Sequence, residues 1–259
     1  MALKACQNVA GSIGWKLNMN DPKYYLTDSR WIWFLRGLPS PARARALFLT
    51  RTATMTTLRR SKGLWDLSQN ILLRNVPGAF VECGVWRGGS AGIMGLAMKS
   101  FDAKRPLHLF DSFEGLPEPG PQDGTAAVEY SGGRSGGHLA SIAKCDATLD
   151  LVRTLLFERL QLDPKKVHFH VGWFQETVPV AAKELGPISI LRLDGDWYES
   201  TRVCLEHLYP KVSSGGVVIL DDYNGWEGSR KATDEYRERN NITAPLVQMD
   251  PVCSYWFKP

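Results

Sequence analysis

The sequence has no CxxC pair, and its five cysteines (Cys6, Cys83, Cys145, Cys204 and Cys253) are odd in number and widely spaced. That excludes a disulfide framework and argues against a zinc site, and it suits reduced thiols in a cytoplasmic protein. No sustained apolar run is present either. The longest early one, "WIWFL", is far too short to span a bilayer, and the N-terminus has no signal-peptide core. A soluble chain that is not exported is therefore expected, and the Asn241-Ile242-Thr243 sequon carries no glycosylation meaning. Also missing are a GxSxG elbow, the Lys-Ser/Thr ending of a P-loop and the dinucleotide fingerprint GxGxxG. Acyl chemistry by a Ser-His-Asp set and simple nucleotide hydrolysis lose their usual signatures.

Acidic residues are absent between Asp28 and Asp66, where eight Lys or Arg occur. Such a segment can attract an anionic ligand, a membrane or nucleic acid. The basic residues do not form a run, however, and the net charge of +4 is mild, so a solvated helical face is the preferred reading.

With 259 residues and 44 % hydrophobic content, the chain can bury one large α/β core. From Ala79 onward, short β-branched runs alternate with amphipathic segments of helix length, the pattern of a doubly wound, mostly parallel sheet covered on both faces. Strands are expected at "AFVECGV", "LHLFDSF", "VHFHVG", "ISILRLD" and "GVVILDD", with a terminal hairpin at "PLVQMD" and "SYWFKP" making seven. Helices are expected at "SAGIMGLAMKSF", "TLDLVRTLLFERL", "QETVPVAAKEL", "STRVCLEHLYPKV" and "SRKATDEYRERN". Residues 1–75 read as an N-terminal helical extension broken at Pro22, Pro39 and Pro41, ahead of a second unit over 76–259. Residues 114–144 are dense in Gly, Pro and Ser, as in a functional lid or a disordered loop.

Three constellations carry chemistry. In "VECGVWRGGS" (81–90), Gly84, Gly88 and Gly89 allow a tight turn before a helix N-terminus with free N–H groups. Glu82 beside it would repel a pyrophosphate but suits a cationic amino-acid end, and S-adenosylmethionine carries both an ammonium and a sulfonium. In "LFDSFEGLP", Asp111 ends the second strand 27 residues after Gly84, the place where an acid accepts hydrogen bonds from ribose hydroxyls. "VGWF" (171–174), with Gly172 and Trp173, ends the third strand and either borders an adenine or belongs to the core.

The third constellation joins "LRLDGDWYES" to "VVILDDYNGW", two apolar runs that end in acid. Ligands bind at the carboxyl ends of strands in such a sheet, so Asp194, Asp221 and Asp222 fall on one rim. Three carboxylates there repel one another unless something positive sits among them, and an oxygen-only set suits Mg²⁺ before Ca²⁺. Asp196 points the other way and reads as a supporting residue or a cap for the helix at Ser200. His168 and His170 share a strand face, where a structural role outweighs metal binding.

Together "VECGVWRGGS", "LFDSFEGLP", "GWFQETVP", "LRLDGDWYEST", "LYPKVSSGGVVILDDY" and the closing "ITAPLVQMD" resemble the macrocin O-methyltransferase family, the TylF/MycF type, over residues 50–259. The resemblance implies a class I S-adenosylmethionine fold, Mg²⁺-dependent O-methyl transfer to a sugar hydroxyl of a glycosylated natural product, and a homo-oligomer. By position it makes Asp194, Asp221 and Asp222 metal ligands and Asp194 also the general base. Glu82, Gly84, Ser90, Asp111, Ser112, Thr54 and Met55 become cofactor contacts, and Gln248 holds a sugar hydroxyl. A vicinal diol is the natural acceptor for such a cation. A catechol-type O-methyltransferase would use a similar acidic rim, whereas a nucleic-acid-binding module leaves the acids unexplained.

Overall fold

Residues 40–259 are described in the computed structural model; the helical pieces expected around Pro22 and Pro39 lie outside them. Helix α1 (Pro41–Thr50) starts at Ser40, whose side chain accepts from the Arg43 amide, with Pro41 at the first helical position, where its missing N–H costs nothing. Helix α2 (Leu58–Leu73) is capped in the same way by Thr57. The sheet then builds as β1 (Ala79–Cys83), α3 (Gly89–Ser100), β2 (Leu107–Asp111), α4 (Gly124–Tyr130), α5 (Leu149–Arg153), β3 (Val167–Val171), α6 (Phe174–Ala181), β4 (Ile188–Leu193), α7 (Tyr198–Leu208), β5 (Val212–Leu220), α8 (Glu227–Arg239), β6 (Val247–Gln248) and β7 (Ser254–Phe257).

The seven strands run in the order β3-β2-β1-β4-β5-β7-β6. β1 to β5 are mutually parallel, and β7 is antiparallel to both β5 and β6. Order reverses between β1 and β4, and that switch point opens a crevice at the carboxyl ends of the strands.

Two-residue periodicity sends alternate side chains to opposite faces. Phe80, Leu109, Ile190 and Ile219 pack with Leu47 of α1, Trp65 of α2 and Ile93 of α3. Val81, Phe110, Leu191 and Val218 pack instead with Val178 of α6, Leu205 of α7 and Tyr236 of α8. None of the described helices is long and apolar enough to cross a membrane.

Three local departures have physical reasons. The helix expected over "TLDLVRTLLFERL" is regular only to Arg153 and continues as a π-turn over Thr154–Arg159, in which the Leu160 amide reaches back to the Leu155 carbonyl. "PLVQMD" contributes only two paired residues. The stretch 114–144 contains α4 and is pinned: the Leu116 amide donates to the Lys144 carbonyl, and the Trp197 indole N–H donates 2.9 Å to the Pro117 carbonyl.

His168 and His170 belong to a stack on the β2–β3 edge. The His108 ring lies 4.8 Å from that of His168 and 5.3 Å from that of His170, which itself stacks 4.1 Å from Phe110. Burial, then the two neighbouring imidazoles, push His108 down to about 4. Its folded value lies below the unfolded one, so its neutral form supports the fold above pH ~6.5, and that support is lost as pH falls toward 4. The melting temperature of the wild type should therefore drop more steeply than that of His108→Gln between pH 6.5 and 4; parallel curves would contradict this.

Candidate active site

The crevice at the switch point is a cavity of about 310 Å³. Its floor is the end of β1, where the chain turns at Gly84 with φ of +94°. The Asp194 amide donates 2.8 Å to the Cys83 carbonyl, and the Gly84 amide 2.9 Å to the Phe110 carbonyl, so the ends of β1, β2 and β4 are laced together there. A Cβ on Gly84 would lie 1.8 Å from the Asp194 carbonyl oxygen. Only glycine accepts both that approach and that φ.

Asp111 organises the turn. Its Oδ2 accepts from the amides of Val85 (2.6 Å) and Trp86 (3.0 Å), and its Oδ1 from that of Phe113 (2.7 Å). Burial raises the Asp111 carboxyl above its usual value, against those three bonds. The cavity is further lined by Thr54, Met55, Ser90, Ser112 and Trp173. Met55 is 56 % exposed, and Ser90 sits in the first turn of α3. The Gly89 amide donates 2.9 Å to the Ala53 carbonyl, which ties the Thr54–Met55 segment to that turn. Gly172 does not line the cavity, and Gln248 is exposed on β6, also outside the lining.

Asp194, Asp221 and Asp222 each follow a buried strand and converge, with one carboxylate oxygen from each lying within 4.8 Å of the others. Octahedral ligands at ~2.1 Å from a small cation stand about 3–4 Å apart, so the all-oxygen set fits a hard divalent ion with modest adjustment.

The positive charge that such a cluster demands comes from Arg192. The penultimate residue of β4 and 2 % exposed, it is the register partner of Glu82 on β1. Its guanidinium donates to Glu82 Oε1 (2.9 Å), Asp194 Oδ2 (2.8 Å) and Asp221 Oδ1 (2.5 Å). A second guanidinium, Arg60 of α2, pairs with Asp221 Oδ2 and with Asp250. Glu82 is fully buried behind Arg192, its Oε2 without a partner. Burial pushes its carboxyl up to about 8, although Arg192 pulls the other way. It supports the cluster from beneath rather than lining the cavity. Burial and then Asp221 raise Asp194, while Arg192 moderates the rise.

Asp196 lines the cavity with φ of +56°, an uncommon conformation for a residue with a side chain. Its amide donates 3.3 Å to Asp222 Oδ2, and burial lifts its carboxyl to about 8. It does not cap α7: the Tyr198 amide at that helix start donates 2.6 Å to Asp123 Oδ1. Around this rim Trp197, Ala127 and Ile142 form a small core with Leu116, Tyr130 and Trp226.

Arg192, Arg60 and Asp123 escaped the sequence reading. Arg192 alone left a signal there, a charge inside the apolar run "ISILRLD".

Comparison with known proteins follows the same contour. The macrocin-O-methyltransferase (TylF) family matches residues 42–258. A tetracenomycin-C rhamnosyl 4'-O-methyltransferase of Streptomyces olivaceus is 39 % identical over 204 residues, 78 % of this chain and 74 % of its own length. The mycinamicin III 3''-O-methyltransferase of Micromonospora griseorubida is 33 % identical over 209 residues, 78 % of this chain and 77 % of its own. Among solved structures, the O-methyltransferase NovP superposes with a TM-score of 0.70 at 34 % identity, covering 80 % of this chain and 82 % of that one. The calicheamicin methyltransferase CalS11, 19 % identical with a TM-score of 0.62 over 98 % of this chain and 91 % of its own, shares the fold.

Proposed function

The chain belongs to the macrocin O-methyltransferase family and is an O-methyltransferase; from that premise we propose that it methylates one hydroxyl of a vicinal diol on a deoxysugar of a glycosylated natural product, using S-adenosylmethionine and Mg²⁺. The observation that carries the reading is the convergence of Asp194, Asp221 and Asp222 beside the Gly84 turn. When bound, S-adenosylmethionine supplies an electrophilic sulfonium methyl, and the cation supplies a Lewis acid that lowers the pKa of coordinated hydroxyls.

The chain's own residues do the rest. The Gly84 turn and Asp111 hold the cofactor's amino-acid and ribose ends, and the Thr54–Met55 segment, Ser90, Ser112 and Trp173 border it. Asp194, Asp221 and Asp222 would hold the cation beside the acceptor. Asp194 takes the proton as the acceptor oxygen gains its methyl. Much of the acceleration comes from alignment of oxygen and methyl, which the wall of residues 114–144 supports by closing one side of the cavity. The related enzymes named for sugar positions point to a glycosylated acceptor; a plain catechol serves as the rival in the same assay.

Chelation supplies the test. With a rhamnosylated acceptor, EDTA should reduce turnover at least about 100-fold and added Mg²⁺ restore it, given the several kcal/mol of transition-state charge stabilisation a bound cation provides. Undiminished turnover by metal-stripped protein would sink the cation; preference for the catechol would sink the sugar.

A further inference from the structure

Asp221 stands out within the carboxylate rim because both of its oxygens are already held by cations of the chain itself. Arg192 donates to Oδ1 at 2.5 Å, and Arg60 donates to Oδ2. Arg192 cannot leave, being fully enclosed and tied to Glu82 and Asp194 as well. Arg60 is differently placed. It lies in the first turn of α2, with its side chain 12 % exposed, and it has a complete second partner. Its Nε donates 2.9 Å to Asp250 Oδ2 and its Nη2 3.3 Å to Asp250 Oδ1.

Asp250 is immobile. Its Oδ1 accepts from the amides of Val252 (2.9 Å) and Cys253 (2.8 Å), and its Oδ2 from the Thr57 hydroxyl (2.9 Å). A guanidinium that releases Asp221 therefore remains paired in a two-pronged contact, the geometry arginine favours with carboxylates. Without Asp250, release would strand a buried charge, which is strongly unfavourable.

We propose that Arg60 is a resident counter-ion that sets how tightly the carboxylate site takes a divalent cation: it neutralises Asp221 when the site is empty and withdraws onto Asp250 when the cation enters. Resting on the cation reading of Asp194, Asp221 and Asp222, this assigns Arg60 a positioning role rather than a catalytic one. It also links cation entry to two other parts of the cavity. Arg60 follows the Thr54–Thr57 segment that lines it, and Asp250 begins the turn from β6 into β7.

Mn²⁺ binding to the full chain, followed by calorimetry and electron paramagnetic resonance, tests the assignment. Arg60→Met should bind Mn²⁺ about tenfold more tightly than the wild type, since a unit positive charge a few ångströms from the ion is removed. Its melting temperature in EDTA should fall while the rise on adding Mn²⁺ grows, because Asp221 then keeps only Arg192 as a counter-ion in the empty protein. Asp250→Asn should do the reverse and weaken Mn²⁺ several-fold, by leaving Arg60 committed to Asp221. Should Arg60→Met not fold, Arg60→Gln replaces it with the same expected sign. A wild type that binds no Mn²⁺ at a site sensitive to Asp222→Asn would remove the cation reading and this proposal with it. Wild-type binding with unchanged affinity in the Arg60 variants, or tighter binding in Asp250→Asn, would overturn the role of Arg60 alone.

Discussion

Asp194→Asn is expected to lower kcat by about 10³-fold or more while leaving the melting temperature in EDTA within a few degrees of wild type. General bases contribute roughly 10²–10⁴-fold, and the same substitution removes one carboxylate from the oxygen set that fits a cation, so the loss falls at the upper end. The fold should tolerate the change. Asn keeps the shape, its carbonyl oxygen can still accept the 2.8 Å bond from Arg192, and one negative charge leaves a place where burial and Asp221 already disfavour it. Single-turnover kinetics with saturating S-adenosylmethionine separate the chemical step from binding. A chemical step within tenfold of wild type would remove Asp194 as the base.

Gly84→Ala is expected to have the largest effect on stability of any single methyl addition near the site. The new Cβ would stand 1.8 Å from the Asp194 carbonyl oxygen, at a φ of +94° that side chains avoid. Relief requires β1 and β4 to part at their ends, which gives up the 2.8 Å bond from the Asp194 amide to the Cys83 carbonyl. Backbone strain and forced repacking of this kind cost about 3 kcal/mol or more together, a fall of roughly 6–12 °C in melting temperature for a chain of this size. Activity should be lost as well, because the displaced atoms belong to Asp194. A melting temperature within 2 °C of wild type would show that the crossing is looser than it looks.

Much of this site was legible in the sequence because strand ends are. An apolar run that stops in acid marks the carboxyl end of a strand, and the alternation of runs and amphipathic helices places such ends on one rim. Asp194, Asp221 and Asp222 follow from that rule, and the glycine turn follows from its glycines. The partners of the acids do not. Arg192 meets Glu82 only through the register of β1 with β4, 110 positions apart in the chain, and Arg60 meets Asp221 across 161. For Asp196 the sequence leaves two roles open, support of the rim or a cap of the next helix; its amide bonds Asp222, its positive φ accompanies a place in the cavity lining, and Asp123 from the long loop takes the capping place. That loop reads as either lid or disorder because Gly, Pro and Ser describe its flexibility as a free chain, whereas Trp197 and Trp226 give its Ala127, Tyr130 and Ile142 something to pack on.

That same loop has a bearing on how such an enzyme can change its diet. Residues 114–144 hold one wall of the cavity, and their attachments to the rest of the chain run to α7 and α8. They include the Trp197 indole on the Pro117 carbonyl, the Tyr198 amide on Asp123, and a glycine at 228 where a Cβ would run into the Asp123 carboxylate at 1.9 Å. The loop contributes Leu116, Pro117 and Tyr130 to the cavity lining and none of the three clustered carboxylates. A graft from a relative that keeps Pro117 and Asp123 in place is therefore expected to reshape the wall and leave the carboxylates where they are.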